Sequence, residues 1–236
     1  MAVAKTPAGF QNRLLSALPA DDVALLSDHF DMVPLPRRTK LEIPNRKIRT
    51  LTFLESGIAS VVAASDPKTE VEIGIIGDEG VTGLAVLHGD DRSPYSTYMQ
   101  VGGEGNQIDA DIVRQAMDKS ANLRTTLLRF SQTFLVQTTQ TAICNARATI
   151  ETRLARWLLM AQDRVHSDEI PLTHEFLSLM MGARRPGVTE ALHALGEKGL
   201  VQGERGLIRI LDRAGLETRA GSYYGLPEKE YDRLLQ

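Results

Sequence analysis

Between residues 49 and 101 apolar side chains alternate with small polar ones in short runs: "RTLTFL" (49–54), "IASVVAAS" (58–65), "EVEIGIIG" (70–77) and "STYMQV" (96–101). Glycines punctuate them, nine of the 19 falling between Gly57 and Gly105. Short β-rich segments separated by turns about every eight to twelve residues predict an all-β sandwich or barrel. Glu55-Ser56-Gly57 is read as the first hairpin turn and Pro67 as part of the second. Ahead of these, "GFQNRLLSALPADDVALLSDHF" has helical spacing around a Pro-Ala-Asp-Asp start and predicts two short helices.

From Asn106 to Ile170 the pattern changes, with no Gly or Pro in 65 residues. A boundary is placed near residue 118. Leu123, Leu127, Phe130, Phe134, Gln137, Thr141 and Cys144 then recur at alternating steps of four and three, the spacing of a seam between paired helices. That seam either binds a second copy of the chain or packs on the chain's own domain. Thr149 is a candidate cap for a helix running to about Val165.

The segment "IPLTHEFLSLMMGARRPGVTEALHALGEKGLVQGERGLIRILDRAGL" predicts a short helix after Thr173 through Met181, a turn at Gly182, and a second helix whose first turn tolerates Pro186. Two helices joined by about three residues make a helix-turn-helix. The apolar runs around Gly203-Glu204-Arg205-Gly206 make a β-hairpin wing. Val188, Ala191, Leu192 and Leu195 share the face expected to pack on Phe176, Leu177 and Met180. Pro186, Thr189, Glu190 and His193 then project outward, with Arg184 and Arg185 in front of the helix and at its flank. A helix start prefers acidic neighbours, so two arginines there suit an anionic partner. In a major groove Arg pairs with guanine, Glu accepts from cytosine, and Pro or Thr methyl groups meet thymine. Thr173, His174 and Arg205 stand where phosphate contacts would set register. The alternative is that the arginines are solvated turn residues.

Charge changes this picture little. Residues 1–118 hold 11 Lys+Arg against 17 Asp+Glu, and residues 119–236 hold 16 against 13. Within 171–213 the count is 6 against 5, short of a strong basic patch. A single cysteine, Cys144, excludes an internal disulfide and an iron–sulfur cluster held by one chain. The five histidines show no ligand spacing, so no metal site is expected, and none stands in a haem-ligand context. No apolar run is long enough for a membrane span, and the N-terminal residues lack the apolar stretch of a secretory signal, so a cytoplasmic protein without a membrane partner is expected. No nucleophile elbow, P-loop or H-E-x-x-H motif nominates an enzyme.

"LTHEFLSLMMGARRPGVTEALHALGEKGLV" followed by "GLIRILDRAGLE" resembles the helix-turn-helix and wing of the Crp/Fnr (catabolite activator and fumarate-nitrate reduction) family of bacterial transcription regulators. The order of elements resembles that family over nearly the whole length. The resemblance implies an α+β fold: a cyclic-nucleotide-binding-type β-roll (jelly roll) over 1–118, a dimerisation helix over 119–148, and a winged helix-turn-helix over 149–236. It implies a homodimer through residues 120–146, double-stranded DNA with a two-fold symmetric operator as partner, and RNA polymerase as a further partner if the protein is an activator. The family's best-known branch reads DNA with an Arg, a Glu and a second Arg four residues later; Arg185, Pro186 and Glu190 stand there in this chain, so a different operator is expected.

Family nucleotide pockets pair Gly with Glu and Arg with Ser or Thr. In "DEGVTGLAVLHGDDRSPYS" Arg92 and Ser93 are kept, but Leu84 follows Gly83 where the glutamate belongs. A leucine cannot accept a ribose hydroxyl, and leaving that group unpaired costs about 1–3 kcal/mol, so tight cyclic-nucleotide binding is not expected. By register Thr138 and Thr139 match the adenine-contacting positions, and are equally read as ordinary helix polar residues. A ligand-binding or protein-interaction scaffold whose wing does not touch DNA is the alternative reading. The tail "SYYGLPEKEYDRLLQ" is expected to end in a helix from Pro227.

Overall fold

The computed structural model describes residues 9–66, 69–172 and 174–235, with the side chains of 174 and 175 left aside; Pro67 therefore lies outside the described residues. In chain order the elements are α1 (Arg13–Ser16), α2 (Ala20–Ser27), β1 (Asp31–Leu35), β2 (Lys40–Glu42), β3 (Thr50–Leu54), β4 (Ile58–Ala64), β5 (Glu70–Ile76), α3 (Leu84–Leu87), β6 (Ser96–Val101), β7 (Gly103–Asp109), α4 (Ala110–Lys119) and α5 (Ala121–Arg147). There follow α6 (Ile150–Val165), β8 (Glu169–Ile170), α7 (His174–Met181), α8 (Arg185–Glu197), β9 (Val201–Glu204), β10 (Leu207–Ile210), α9 (Arg213–Ala220), a single 3-10 turn and α10 (Leu226–Leu235).

These elements form two compact units that do not follow chain order. The first takes residues up to Ala59, Ile76–Thr133 and the residues from Tyr231; the second takes Ser60–Ile75 and Phe134–Glu230.

In the first unit β7 lies between β1 and β3, antiparallel to both, with Asp31 opposite Gln107 and Thr50 opposite Asp109. β2 pairs with β6 across a bulge between Lys40 and Glu42. The core is apolar where the strands face inward: Leu51, Phe53, Leu54 and Ile108 are buried. Phe10, Phe30 and Phe53 meet edge to face at 5.8 and 5.7 Å, a geometry that aligns ring edges with ring faces. Asn12, fully buried, donates to the Leu54 and Gly80 carbonyls at 2.8 Å each and accepts from Leu15 N–H at 2.9 Å, so its whole amide is satisfied. The ring of Phe130 occupies the space a side chain at Gly80 would need. Tyr231 reaches the Glu79 carbonyl at 3.0 Å, and the Arg13 guanidinium lies 4.6 Å from its ring centroid. The tail helix α10 forms, starting one residue earlier than expected, and its residues from Tyr231 belong to the first unit.

In the second unit α6 is the central element. Leu154, Ala155, Trp157, Leu158, Leu159, Met160 and Ala161 are all buried, which leaves it almost no solvent face. Thr149 caps it as expected, accepting from the Thr152 N–H at 3.2 Å. Phe134 lies against Gly74 of β5, and the Gln137 amide reads the backbone of Ile75 twice, accepting at 2.7 Å and donating at 3.0 Å. β10 is flanked by β8 and β9, completing the wing sheet.

The seven-residue pattern on α5 marks a covered face. Leu123, Leu127, Phe130, Phe134, Gln137 and Cys144 are buried within the single chain, Thr141 partly so. Of the two readings of that stripe, packing on the chain's own structure accounts for these side chains. A different stripe is open to solvent: Leu128, Gln132, Leu135, Thr139, Ala142 and Ala146, again spaced by four and three, with Ile143 beside them.

Candidate nucleic-acid interface

The turn that carries the arginines is built by ordinary helix-stop chemistry. Gly182, at φ 53°, takes the left-handed conformation that ends α7, and the Gly182 and Ala183 N–H groups donate back to the Leu179 and Ser178 carbonyls at 3.1 Å each. Arg153 of α6 donates to the Met181 carbonyl, tying the end of α7 to α6. Three residues later α8 begins, with Arg184 as its cap residue, no side-chain cap bond, and no acidic residue in its first turn. The exposed N–H groups and partial positive charge of that helix end are thus flanked by two guanidinium groups.

Val188, Ala191, Leu192 and Leu195 are buried, as are Phe176, Leu177 and Met180 of α7. This fixes the rotation of α8 about its axis. Arg184, Arg185, Pro186, Thr189, Glu190 and His193 are all exposed along the other side. Arg205 is exposed in the β9–β10 turn, where Gly206 takes φ 80°. Between α8 and that turn lies an open groove of about 630 Å³, lined by Thr189, His193 and Glu197 on one wall and Glu204 and Arg205 on the other. His193 Nδ1 stands 3.5 Å from Glu197 Oε1. Thr173 lies outside the described residues, and of His174 only the backbone, the first residue of α7, is described.

One group in this region has no sequence signature. Glu151 of α6 pairs with both Lys198, at the end of α8, and Arg219 of α9. Partial burial alone would raise its carboxyl, but the two cations more than offset that and hold it below the ordinary value. The cluster anchors the far end of α8 on α6. Nothing in sequence spacing joins residues 151, 198 and 219, so only the fold reveals it.

The nucleotide-pocket positions are differently placed. Gly83 is buried and caps the short α3, its N–H donating to Glu42 Oε1 at 3.0 Å; burial pushes that carboxyl above its ordinary range. Leu84 is half-buried. The Arg92 side chain is 63% exposed and pairs with Asp91 at 3.2 Å, while Ser93 Oγ accepts from the Tyr95 N–H at 3.1 Å. Thr138 and Thr139 both donate to the Leu135 carbonyl at 2.9 Å, within their own helix. Among the described residues no group of His, Cys, Asp and Glu is arranged to hold a metal ion, and no helix is long and apolar enough to cross a membrane.

With this geometry in place, residues 152–219 match the Crp-like helix-turn-helix domain. The chain carries that domain on the fold of the Crp/Fnr regulators. Among solved structures it is similar to the c-di-GMP responsive global regulator CLP from Xanthomonas campestris, at 18% identity and TM-score 0.67, over 82% of this chain and 100% of that one. It is likewise similar to FixK2 from Bradyrhizobium japonicum, at 13% identity and TM-score 0.70, over 82% and 98%. A transcriptional regulator of the CRP/FNR family from Thermus thermophilus aligns at 18% identity and TM-score 0.65, over 82% and 100%. No curated protein sequence matches the chain.

Proposed function

We propose that this chain is a DNA-binding transcription regulator that reads a two-fold symmetric operator as a homodimer. The observation that carries the reading is the exposure of Arg184, Arg185, Pro186, Thr189, Glu190 and His193 together on the outer side of α8, a helix whose own first turn carries no acidic residue. Glu197 and Glu204 in the groove, and Glu190 exposed on α8, repel phosphate. Backbone affinity therefore rests on a few cations, Arg184, Arg185 and Arg205 foremost, and base contacts carry a large share of the specificity.

The second copy is expected on the exposed α5 stripe of Leu128, Gln132, Leu135, Thr139, Ala142 and Ala146, a repeat with the a/d spacing of a two-helix seam. A cyclic nucleotide is not part of this reading: Leu84 offers no acceptor, Glu42 already takes the Gly83 N–H, and Arg92 pairs with Asp91 in solvent. Any other small-molecule gate in residues 20–115 acts by binding the DNA-competent arrangement better than the incompetent one.

Fluorescence anisotropy with duplex fragments from the gene's own upstream region tests the reading. Wild type is expected to bind saturably with a negative slope of log affinity against log salt. Arg185→Ala is expected to weaken binding to the best fragment by about 1–3 kcal/mol. A flat salt slope with Arg185→Ala indistinguishable from wild type favours the scaffold reading, which the 6-to-5 charge balance of residues 171–213 supports.

A further inference from the structure

Ser60–Ile75, most of the β4–β5 hairpin, belongs to the same compact unit as the helix-turn-helix, and one buried carboxyl joins this part of the hairpin to α6. Glu72 of β5 is 4% exposed. Its Oε1 accepts from the Trp157 indole N–H of α6 at 2.7 Å, and its Oε2 is hydrogen-bonded to the Ser60 hydroxyl on β4. One residue before it, the Val71 side chain stands 3.5 Å from where a Cβ at Gly182 would lie, in ordinary contact with the turn that leads to Arg184 and Arg185. Arg153, four residues before Trp157 on α6, holds the Met181 carbonyl at the same turn. The hairpin, α6 and the turn before α8 are thus packed as one cluster with Glu72 inside it.

We infer that Glu72 is a proton-responsive positioning residue for the helix-turn-helix: as a neutral acid it latches the hairpin to Trp157 and keeps the turn in its DNA-competent place, and as an anion it loosens that latch. The inference rests on the DNA-binding reading of α8. Both hydrogen bonds are donated to the carboxyl, by the Trp157 N–H and the Ser60 hydroxyl, and favour the anion; burial is what favours the neutral acid. The charged groups that face it come from α6: Arg156 and Arg164, with Glu228 of α10 and Cys144 of α5 facing Arg156 in turn. Both guanidinium groups donate to backbone carbonyls, Arg156 to Tyr223 at 3.0 Å and Arg164 to Met160 at 2.8 Å. Burial outweighs the hydrogen bonds and these cations, and pushes the Glu72 carboxyl up to about 7. A cavity of about 20 Å³ beside it, lined also by Arg153, Trp157 and Met181, has room for one water to solvate the anion, at the expense of the packing against the turn.

Trp157 is the only tryptophan in the chain, so its emission reports this cluster alone. The experiment follows that emission, and the affinity for one bound duplex by anisotropy, from about pH 5.5 to about pH 8.5 in wild type and Glu72→Gln. Glutamine keeps the Trp157 bond through its oxygen and can donate its amide N–H to the Ser60 hydroxyl, but cannot ionise, and every histidine remains in both proteins. The expected result is an emission change with a midpoint near 7 and a loss of affinity of about three- to tenfold towards high pH in wild type, both absent in Glu72→Gln. Emission that does not titrate in wild type overturns the latch. Emission that titrates while affinity falls equally in both proteins, or in neither, overturns the positioning role. Titrating emission without duplex binding at any pH overturns the DNA-binding reading and with it the positioning role, but leaves the latch standing.

Discussion

Glu72 also makes a prediction about stability that needs no DNA. In the unfolded chain its carboxyl returns to 4.5, whereas in the fold it is raised to about 7. Because the folded state holds this proton more tightly, its contribution to stability is fully present below about 4.5 and is lost as pH rises through about 7. The difference between the two values corresponds to about 3 kcal/mol at 1.36 kcal/mol per unit. No discount for solvent applies, since the side chain is buried. Against a total stability of about 5–15 kcal/mol for a typical domain this is a large share. The assay is urea unfolding followed by Trp157 emission, with wild type and Glu72→Gln compared at about pH 5.5 and about pH 8. Glu42 and Glu228 are also raised by burial and contribute in the same sense, but they are present in both proteins and cancel in the comparison. Wild type is expected to lose about 2 kcal/mol more than Glu72→Gln over that window, since part of the loss already lies below pH 5.5. A difference that stays within about 0.5 kcal/mol shows that the fold holds this proton no more tightly than the unfolded chain does, and the reasoning from burial fails.

Three further perturbations probe other parts of the chain. Gly80→Ala drives a methyl into the Phe130 ring and is expected to destabilise by about 1–3 kcal/mol, read as a lowered urea midpoint, with partial recovery in Gly80→Ala/Phe130→Leu. Asn12→Ala strips the partners from the Leu54 and Gly80 carbonyls and the Leu15 N–H in a fully buried site, and is expected to lose about 3 kcal/mol by the same assay. Leu135→Glu puts a charge in the exposed α5 stripe and is expected to convert a dimer to a monomer in sedimentation velocity without lowering helical content; an unchanged sedimentation coefficient removes that stripe from the dimer contact.

Elements held by local chemistry were legible in the sequence. The Thr149 cap, the end of α6 at Val165, the three-residue turn and the wing each rest on interactions within a few residues. β1 and β7 were not legible, because their stability lies in pairing between Asp31 and Gln107 and their neighbours, 76 positions apart. β1 contains Pro34, which argues against a strand, and β7 is rich in glycine. The glycines there answer to packing: a Cβ at Gly103 would collide with the Ser56 backbone, and one at Gly105 would lie 2.8 Å from the Phe53 carbonyl oxygen. The residues that make this strand fit are therefore the ones that hide it. α9 was missed for a similar reason, since Gly215 interrupts its pattern while donating its N–H to the Asp212 cap at 2.9 Å.

The candidate site divides along the same line. The outward face of α8 follows from the positions of Val188, Ala191, Leu192 and Leu195 alone, because burying one side of a helix fixes the other. The α5 stripe shows the limit of that logic. A heptad pattern states that a face is covered and not what covers it; here Phe134 meets Gly74 and Gln137 meets the backbone of Ile75, leaving Leu128 and Leu135 for any second copy. Glu72 lay beyond pattern reading altogether. In "EVEIGIIG" it occupies the polar half of an alternating strand, where a carboxylate is ordinarily solvated, and only the approach of Trp157 from 85 positions away makes it an interior acid. A group whose chemistry depends on such a partner acquires it only when the chain closes, so its behaviour with pH reports the assembled cluster and not the strand that carries it.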